Sequence, residues 1–232
     1  MNQNHSAVVL LSGGMDSCVC AAIAAREHGP ERVAAMHISY GQRTEARERE
    51  SFEKICDHLG IGKRMLIENR SLQQIGGSAL TDKNIAVPES GHIGAGIPIT
   101  YVPFRNAHFL SAAVSWAEVL GAAQIYIGAV AQDSSGYPDC RPEYYDAFNQ
   151  VIRVGTKEGG IEITTPLIAL RKAEIIRRGL QLGAPLELTW SCYTGEREAC
   201  GVCDSCVLRL RAFEAAGVKD PLPYAARAAA HS

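Results

Sequence analysis

A short apolar run at residues 7–11 gives way at once to Ser12-Gly13-Gly14-Met15-Asp16-Ser17, and then to a helical pattern. That order restricts the fold more than any other feature of the chain. A bounded apolar run of this length suits a strand covered on both faces. A helix is expected over 17–28, stopped by Gly29-Pro30. The turn between them aims free backbone N–H groups and the positive end of a helix dipole at one point. Two glycines let the backbone approach an anion closely, and the serine hydroxyls add donors. Asp16 makes sense there if Mg2+ accompanies the anion, because a cation inverts the local charge logic. The plainer reading is a glycine turn that only caps a helix. The flanking serines, the placed aspartate and the strand–helix context favour a phosphate loop. Leu11, Ser12, Gly13, Gly14, Met15, Asp16, Ser17 and Cys18 are therefore the candidate nucleotide-binding residues. No Gly-Lys-Ser/Thr follows, so the motif is not a Walker A sequence.

Periodicity extends the pattern. A second strand is expected at 33–40. Phe52, Ile55, Cys56 and Leu59 then form one apolar stripe on a helix. A third strand is expected at 64–67. Strand, helix, strand, helix, strand implies a doubly wound α/β fold with a parallel sheet. Residues 69–103, rich in Gly, Ser and Pro, interrupt the alternation and read as a lid or substrate loop. Residues 105–120 read as a helix apolar on most faces, hence buried. A strand at 124–129 and a glycine-bearing loop at 133–142 follow. Further on come a helix at 143–154, an extended segment at 164–168 and a helix at 172–182. The expected organisation is an α/β nucleotide-binding domain over 1–185, with its insert at 69–103. A small cysteine-bearing region over 186–232 packs on it.

Of eight cysteines, Cys192, Cys200, Cys203 and Cys206 cluster near the end. Two overlapping Cys-x-x-Cys steps suit a closed tetrahedral Zn2+ site, which is usually structural. Iron–sulfur ligation, a redox pair and unrelated buried thiols remain alternatives on spacing alone. Cys18, Cys20 and Cys56 fall at apolar helical positions and read as small core residues.

The chain has 232 residues and a formal net charge of -2, which argues against a broad nucleic-acid surface. No apolar stretch is long enough for a membrane helix. The polar start has no secretory signature. These observations predict a cytoplasmic protein that binds neither membrane nor nucleic acid directly.

The phosphate turn is similar to the pyrophosphate loop of the N-type ATP pyrophosphatases, whose fold is HUP-like. That resemblance implies cleavage between the α- and β-phosphates of ATP and an adenylated substrate. Four further stretches narrow it: Tyr40-Gly41-Gln42-Arg43, Val102-Pro103-Phe104-Arg105-Asn106, Gly136-Tyr137-Pro138-Asp139-Cys140-Arg141 and Thr189-Trp190-Ser191-Cys192-Tyr193. With the phosphate turn and the cysteines, these resemble the 7-cyano-7-deazaguanine synthase family over about residues 8–213. Ser39 and Thr44 stand where the family pattern has aspartate and histidine.

The resemblance implies an ATP-dependent carbon–nitrogen ligase of queuosine biosynthesis. It would join 7-carboxy-7-deazaguanine and ammonia to give 7-cyano-7-deazaguanine, with Mg2+, with Zn2+ on the four cysteines, and as a homodimer. Asp16, Ser17, Arg105, Arg141 and Lys172 are then the candidate catalytic residues. Tyr40, Gln42, Arg43, Asp133, Gly136, Tyr137, Asp139 and Arg141 are the candidate substrate contacts. Asp139 has a competing role as a cap on the helix that follows it. Cys140 lacks a histidine partner and reads as a packing or substrate contact rather than a nucleophile. His37 and His108 read as structural. Two rivals are carried forward: a tRNA-modifying sulfurtransferase or amidotransferase of the same superfamily, and a non-catalytic zinc interaction module.

Overall fold

A computed structural model describes residues 5–89, 96–131 and 136–225. Five strands form one sheet in the order β3-β2-β1-β4-β5, and each pairing is parallel. They are β1 (Ala7–Leu10), β2 (Val33–Ser39), β3 (Lys63–Glu68), β4 (Gln124–Ile127) and β5 (Glu162–Thr164). The helices are α1 (Met15–His28), α2 (Glu45–Leu59), α3 (Ser71–Ile75), α4 (Arg105–Leu120), α5 (Pro142–Gly155), α6 (Lys172–Leu182) and α7 (Asp204–Ala216). This is the expected doubly wound arrangement.

Side-chain alternation divides the core in two. Ala7, Val9 and Leu11 face one layer, with α1, α2 and Tyr126 of β4. Val8 and Leu10 face the other, with α4, α5 and Met36 and Ile38 of β2. Burial on both faces explains why β1 reads as a continuous apolar run. Helix α6 packs on α1, and α7 packs on α6. Ala212 and Phe213 of α7 thus join the first core. Trp190, Cys192, Cys203, Cys206 and Leu222 form a smaller apolar cluster of their own. No helix among the described residues is long and apolar enough to cross a membrane.

Two expectations need correction. The last strand lies at Glu162–Thr164, pairing Ile163 with Ile125 of β4, and turns occupy the residues once expected to continue it. Pro166 supplies no ladder donor, which ends the strand. Helix α4 is not buried all round. Leu110, Ala113 and Ala117 are covered, but Val119 is 83% exposed. It is a one-faced helix on the second core.

The insert folds against the carboxyl ends of the strands. Leu72 and Leu80 pack with Tyr40 and Val102. Arg43 staples it down, donating to the carbonyls of Ala79 at 2.8 Å, Asp82 at 3.0 Å and Ile85 at 2.6 Å.

Candidate functional site

The chain leaves β1 toward one side of the sheet and returns to β4 on the other side of it. Between strands that diverge in this way, an α/β sheet opens a crevice at its carboxyl ends. A cleft of about 290 Å³ lies there, continuous with a second of about 210 Å³. Apolar side chains of Leu10, Met36, Ile38 and Ile127 floor the first. The phosphate turn, the start of α4 and residues 190–193 form its walls.

The phosphate turn owes its shape to backbone that excludes side chains. Gly13 has φ +90°, and a Cβ there would lie 2.5 Å from the Glu48 carbonyl oxygen. The Gly13 carbonyl accepts the Trp190 N–H at 2.8 Å. Ser12 Oγ accepts the Gly14 N–H at 3.2 Å, and Ser17 Oγ donates to the Gly14 carbonyl at 2.9 Å. Behind the turn, a Cβ on Gly128 would come within 2.8 Å of the Asp16 and Ser17 backbone. The end of β4 therefore needs glycine to press against α1, a requirement that only the tertiary contact reveals. Cys18, expected at the nucleotide, lies fully buried in the core instead. Its N–H bonds the Gly14 carbonyl at 3.0 Å, and burial pushes its thiol far up.

Asp16 and Lys172 meet across the cleft floor, with Lys172 Nζ bonded to Asp16 Oδ2. Helix α6 starts at this lysine, and its first turn is fixed by Glu174 Oε2 accepting the Arg171 N–H at 2.8 Å. Asp16 Oδ1 is buried and has no partner. An orphaned carboxylate oxygen beside a phosphate turn suits a Mg2+ ion or a water bound to one.

On the opposite wall, Arg105 donates to Tyr40 Oη at 3.2 Å and sits over three rings, those of Tyr40, Phe109 and Tyr137, at 5.6–5.9 Å. Its Nε has no partner. A guanidinium enclosed by aromatic faces, with no carboxylate ion pair among the described residues, is suited to an anion. Tyr40, Gln42, Arg43 and Tyr137 also line the cleft. Arg43, however, spends its guanidinium on the three insert carbonyls. Gln42 Oε1 accepts the Tyr40 N–H at 2.8 Å. Gly136 has φ +76° in the turn before Tyr137.

Two other expected contacts lie elsewhere. Asp139 is 3% exposed and caps α4 rather than the helix after it, its Oδ2 accepting the Asn106 N–H at 3.1 Å. Arg141 is exposed at the start of α5 and lines neither cleft. Asp133 falls outside the described residues. Cys140 lines the cleft, but burial and the Asp139 charge push its thiol up to about 11. A thiol held protonated is a poor nucleophile.

Glu48 is a cleft residue that periodicity did not reveal. It sits in α2 and receives Thr44 Oγ1 at 2.8 Å and Gln42 Nε2 at 3.0 Å. Burial raises its carboxyl to about 7 against the pull of those two hydrogen bonds.

The four clustered cysteines offer sulfur atoms that all lie within 4.8 Å of one another. A tetrahedral zinc thiolate site places its sulfurs about 3.8 Å apart, so the set fits one ion with little adjustment. Backbone N–H groups of Thr194, Gly195 and Cys200 converge on Cys192 Sγ at 3.1–3.4 Å. Hydrogen bonds from the Cys203 and Cys206 thiols add to these, and the Cys192 thiol is pulled well below its usual range. The cluster braces the cleft wall. Trp190, Ser191 and Tyr193 on either side of Cys192 line the cleft, and Arg47 stacks over Trp190 at 4.7 Å.

Below it, Arg209 and Asp220 form a bidentate pair at 2.7 and 3.0 Å, with side chains 2% and 3% exposed. Arg209 also donates to Thr189 Oγ1 at 2.7 Å and to the Leu186 carbonyl at 3.2 Å. No local pattern announces this pair.

The sequence model described as "Queuosine biosynthesis protein QueC" matches residues 6–217. The chain belongs to that QueC family. A protein of Koribacter versatilis named 7-cyano-7-deazaguanine synthase is 67% identical over 226 residues, 97% of this chain and 95% of that protein. A protein of the same name from Acidobacterium capsulatum is 65% identical, over 97% of this chain and 99% of that protein. Among solved structures, the NMN synthetase of Francisella tularensis superposes on this QueC-family chain with a TM-score of 0.50 at 16% identity. It covers 98% of this chain and 82% of that chain, a likeness of fold alone.

Proposed function

We propose that the chain converts 7-carboxy-7-deazaguanine, ammonia and ATP into 7-cyano-7-deazaguanine, as an ATP-dependent carbon–nitrogen ligase of queuosine biosynthesis. One observation carries this reading within the family. A glycine turn bearing Asp16, which is paired with Lys172 of α6, and an aromatic-caged Arg105 face each other across the joined clefts. The first suits a polyphosphate and the second a carboxylate, the two anions that adenylation must bring together.

A carboxylate resists attack by ammonia until it acquires a leaving group. The phosphate turn would hold ATP through the backbone N–H groups at the start of α1 and the hydroxyls of Ser12 and Ser17. Lys172 would balance phosphate charge. Arg105 would aim the substrate carboxylate at the α-phosphate, and such alignment supplies much of a barrier's reduction. Asp16 Oδ1 would hold Mg2+, which when bound neutralises charge on phosphate oxygens. Ammonia would then displace AMP to form an amide. A second adenylation, on the amide oxygen, would permit its loss and leave the nitrile. Tyr40, Gln42, Tyr137 and Gly136 are the proposed contacts to the deazaguanine ring. Asp133 is a further proposed contact to the ring.

Zn2+ on Cys192, Cys200, Cys203 and Cys206 would be structural, fixing the wall at 190–193. The same reading places the protein in the cytoplasm as a homodimer. Exposed Val119, Val151 and Val154 on α4 and α5 would offer apolar surface to a second copy. Light scattering reports that state directly.

The deciding experiment incubates the protein with 7-carboxy-7-deazaguanine, ammonium, ATP and Mg2+, then measures bases and nucleotides by mass spectrometry. The expected products are the nitrile, AMP and pyrophosphate. Nitrile with ADP and phosphate alone would reject the adenylation route. No change in the base would reject the function.

A further inference from the structure

We propose that Glu48 is the residue that takes the proton ammonium must lose before its nitrogen attacks the activated carboxyl. The inference rests on the ligase reading above and adds a catalytic residue to it.

The reasoning starts from the proton count. At neutral pH the nitrogen source is mostly ammonium, which has no free electron pair. One proton must leave it before a C–N bond forms. A group in the cleft must accept that proton, and it has to be unprotonated, within reach and free of a cation that would hold its charge.

Few groups in the described cleft lining meet those terms. Burial pushes Cys140 up to about 11 and Tyr40 up to about 12, so both keep their protons. The cleft carboxylates are Asp16 and Glu48. Asp16 is bonded to Lys172 and lies at the phosphate turn. Glu48 instead has two neutral partners, the Thr44 hydroxyl and the Gln42 amide. Those donors orient the carboxylate without neutralising it. Gln42 is itself held by the Tyr40 backbone N–H, and Thr44 also reaches the Cys192 carbonyl at 3.3 Å. The base is thus tied to both walls of the cleft. Its charged neighbours are Arg105 from α4, which lowers its pKa, and Glu45 from its own helix, which raises it. Both effects are smaller than that of burial. Tyr40 faces it from the end of β2.

The step balances. Ammonium gives one proton to a Glu48 carboxylate oxygen and becomes ammonia. The ammonia electron pair forms the C–N bond, and the acyl C–O bond breaks with its pair leaving on AMP. The new C–N nitrogen sheds a further proton to solvent, and the protonated Glu48 releases its own to solvent before the next cycle. A group poised near 7 can both accept and release at neutral pH.

The test compares wild type with E48Q and E48D. Nitrile formation is measured with ammonium from acidic to alkaline pH. The ammonia-independent half-reaction is followed separately, as ATP–pyrophosphate exchange in the presence of 7-carboxy-7-deazaguanine. Thermal melts check that each variant folds. Wild-type turnover should rise with pH through about 7, because the carboxyl must be ionised to accept. E48Q should lose about 10²-fold or more in turnover with ammonium, and lose that acid limb. Its exchange rate should change by less than about threefold, a far smaller effect than loss of a general base produces. E48D should keep the acid limb at reduced rate. Hydroxylamine, already unprotonated at neutral pH, should restore most of the E48Q rate, read as hydroxamate.

E48Q turnover equal to wild type, or exchange lost as fully as turnover, would overturn the assignment while leaving the ligase reading intact. A wild-type chain that neither exchanges pyrophosphate nor makes nitrile would take down both.

Discussion

One side of the cleft, the turn at Ser12–Ser17, rests on the central strand of a parallel sheet and is shaped by Gly13 and, behind it, Gly128, neither of which leaves space for a Cβ. The facing side, residues 189–206, has no strand of the sheet beneath it. It is held by four thiols around one point, by the buried Arg209–Asp220 pair, and by Arg47 stacked on Trp190. The sheet-borne side draws its stability from the hydrophobic core of the whole domain. The other side has a small core of its own and adds to it a four-thiol cluster fit for one metal ion and a buried charge pair. The comparison teaches that a cleft wall can be held without a strand of the sheet if its tethers are strong and few.

The comparison predicts different modes of failure on the two sides. Emptying the four-cysteine site should have the largest effect if it holds a structural metal, because such an ion contributes on the order of 10 kcal/mol to small domains. C203A or chelation should expose residues 189–206 to limited proteolysis and abolish turnover. Far-ultraviolet circular dichroism should stay close to native. Metal-free protein with full activity would break the comparison.

Next is D220A, which strands Arg209 in the interior at a cost of about 3–5 kcal/mol in urea denaturation. Replacing both partners with apolar residues should recover much of that loss. On the sheet-borne side, G128A forces a methyl group against the Asp16 backbone and should cost about 1–3 kcal/mol. Because the clash is at the phosphate turn, the Michaelis constant for ATP should rise with it. The smallest effect belongs to E50Q, which removes two exposed ion pairs, to Arg47 and Lys54, on α2. A change within about 0.5 kcal/mol is expected. A larger loss would show that Glu50 holds Arg47 on Trp190.

The two sides were also unequally legible in the sequence. Local signals sufficed for the phosphate turn, since one strand, two glycines and a helix start are contiguous. The cysteine cluster was legible from spacing, because its ligands are supplied by one short stretch. What escaped depends on contacts between distant segments. Glu48 looks like one more charged residue on the polar face of α2 until the Gly13 turn and the Gln42 side chain close around it. Asp139 reads as a substrate contact or as the cap of the helix that follows it, yet its carboxylate reaches back to α4. Arg209 and Asp220 meet only because the chain turns after α7. Glu162–Thr164 was missed as a strand because it is short and half polar, and its pairing with β4 decides the matter.

The bond from the Trp190 N–H to the Gly13 carbonyl has a consequence for the order of assembly. During synthesis the Ser12–Ser17 turn emerges well before the segment around Trp190 that bonds to it. A nascent domain can pair β1 with β2 long before it can set the final shape of that turn. The final shape of that turn therefore waits on translation of the segment around Trp190.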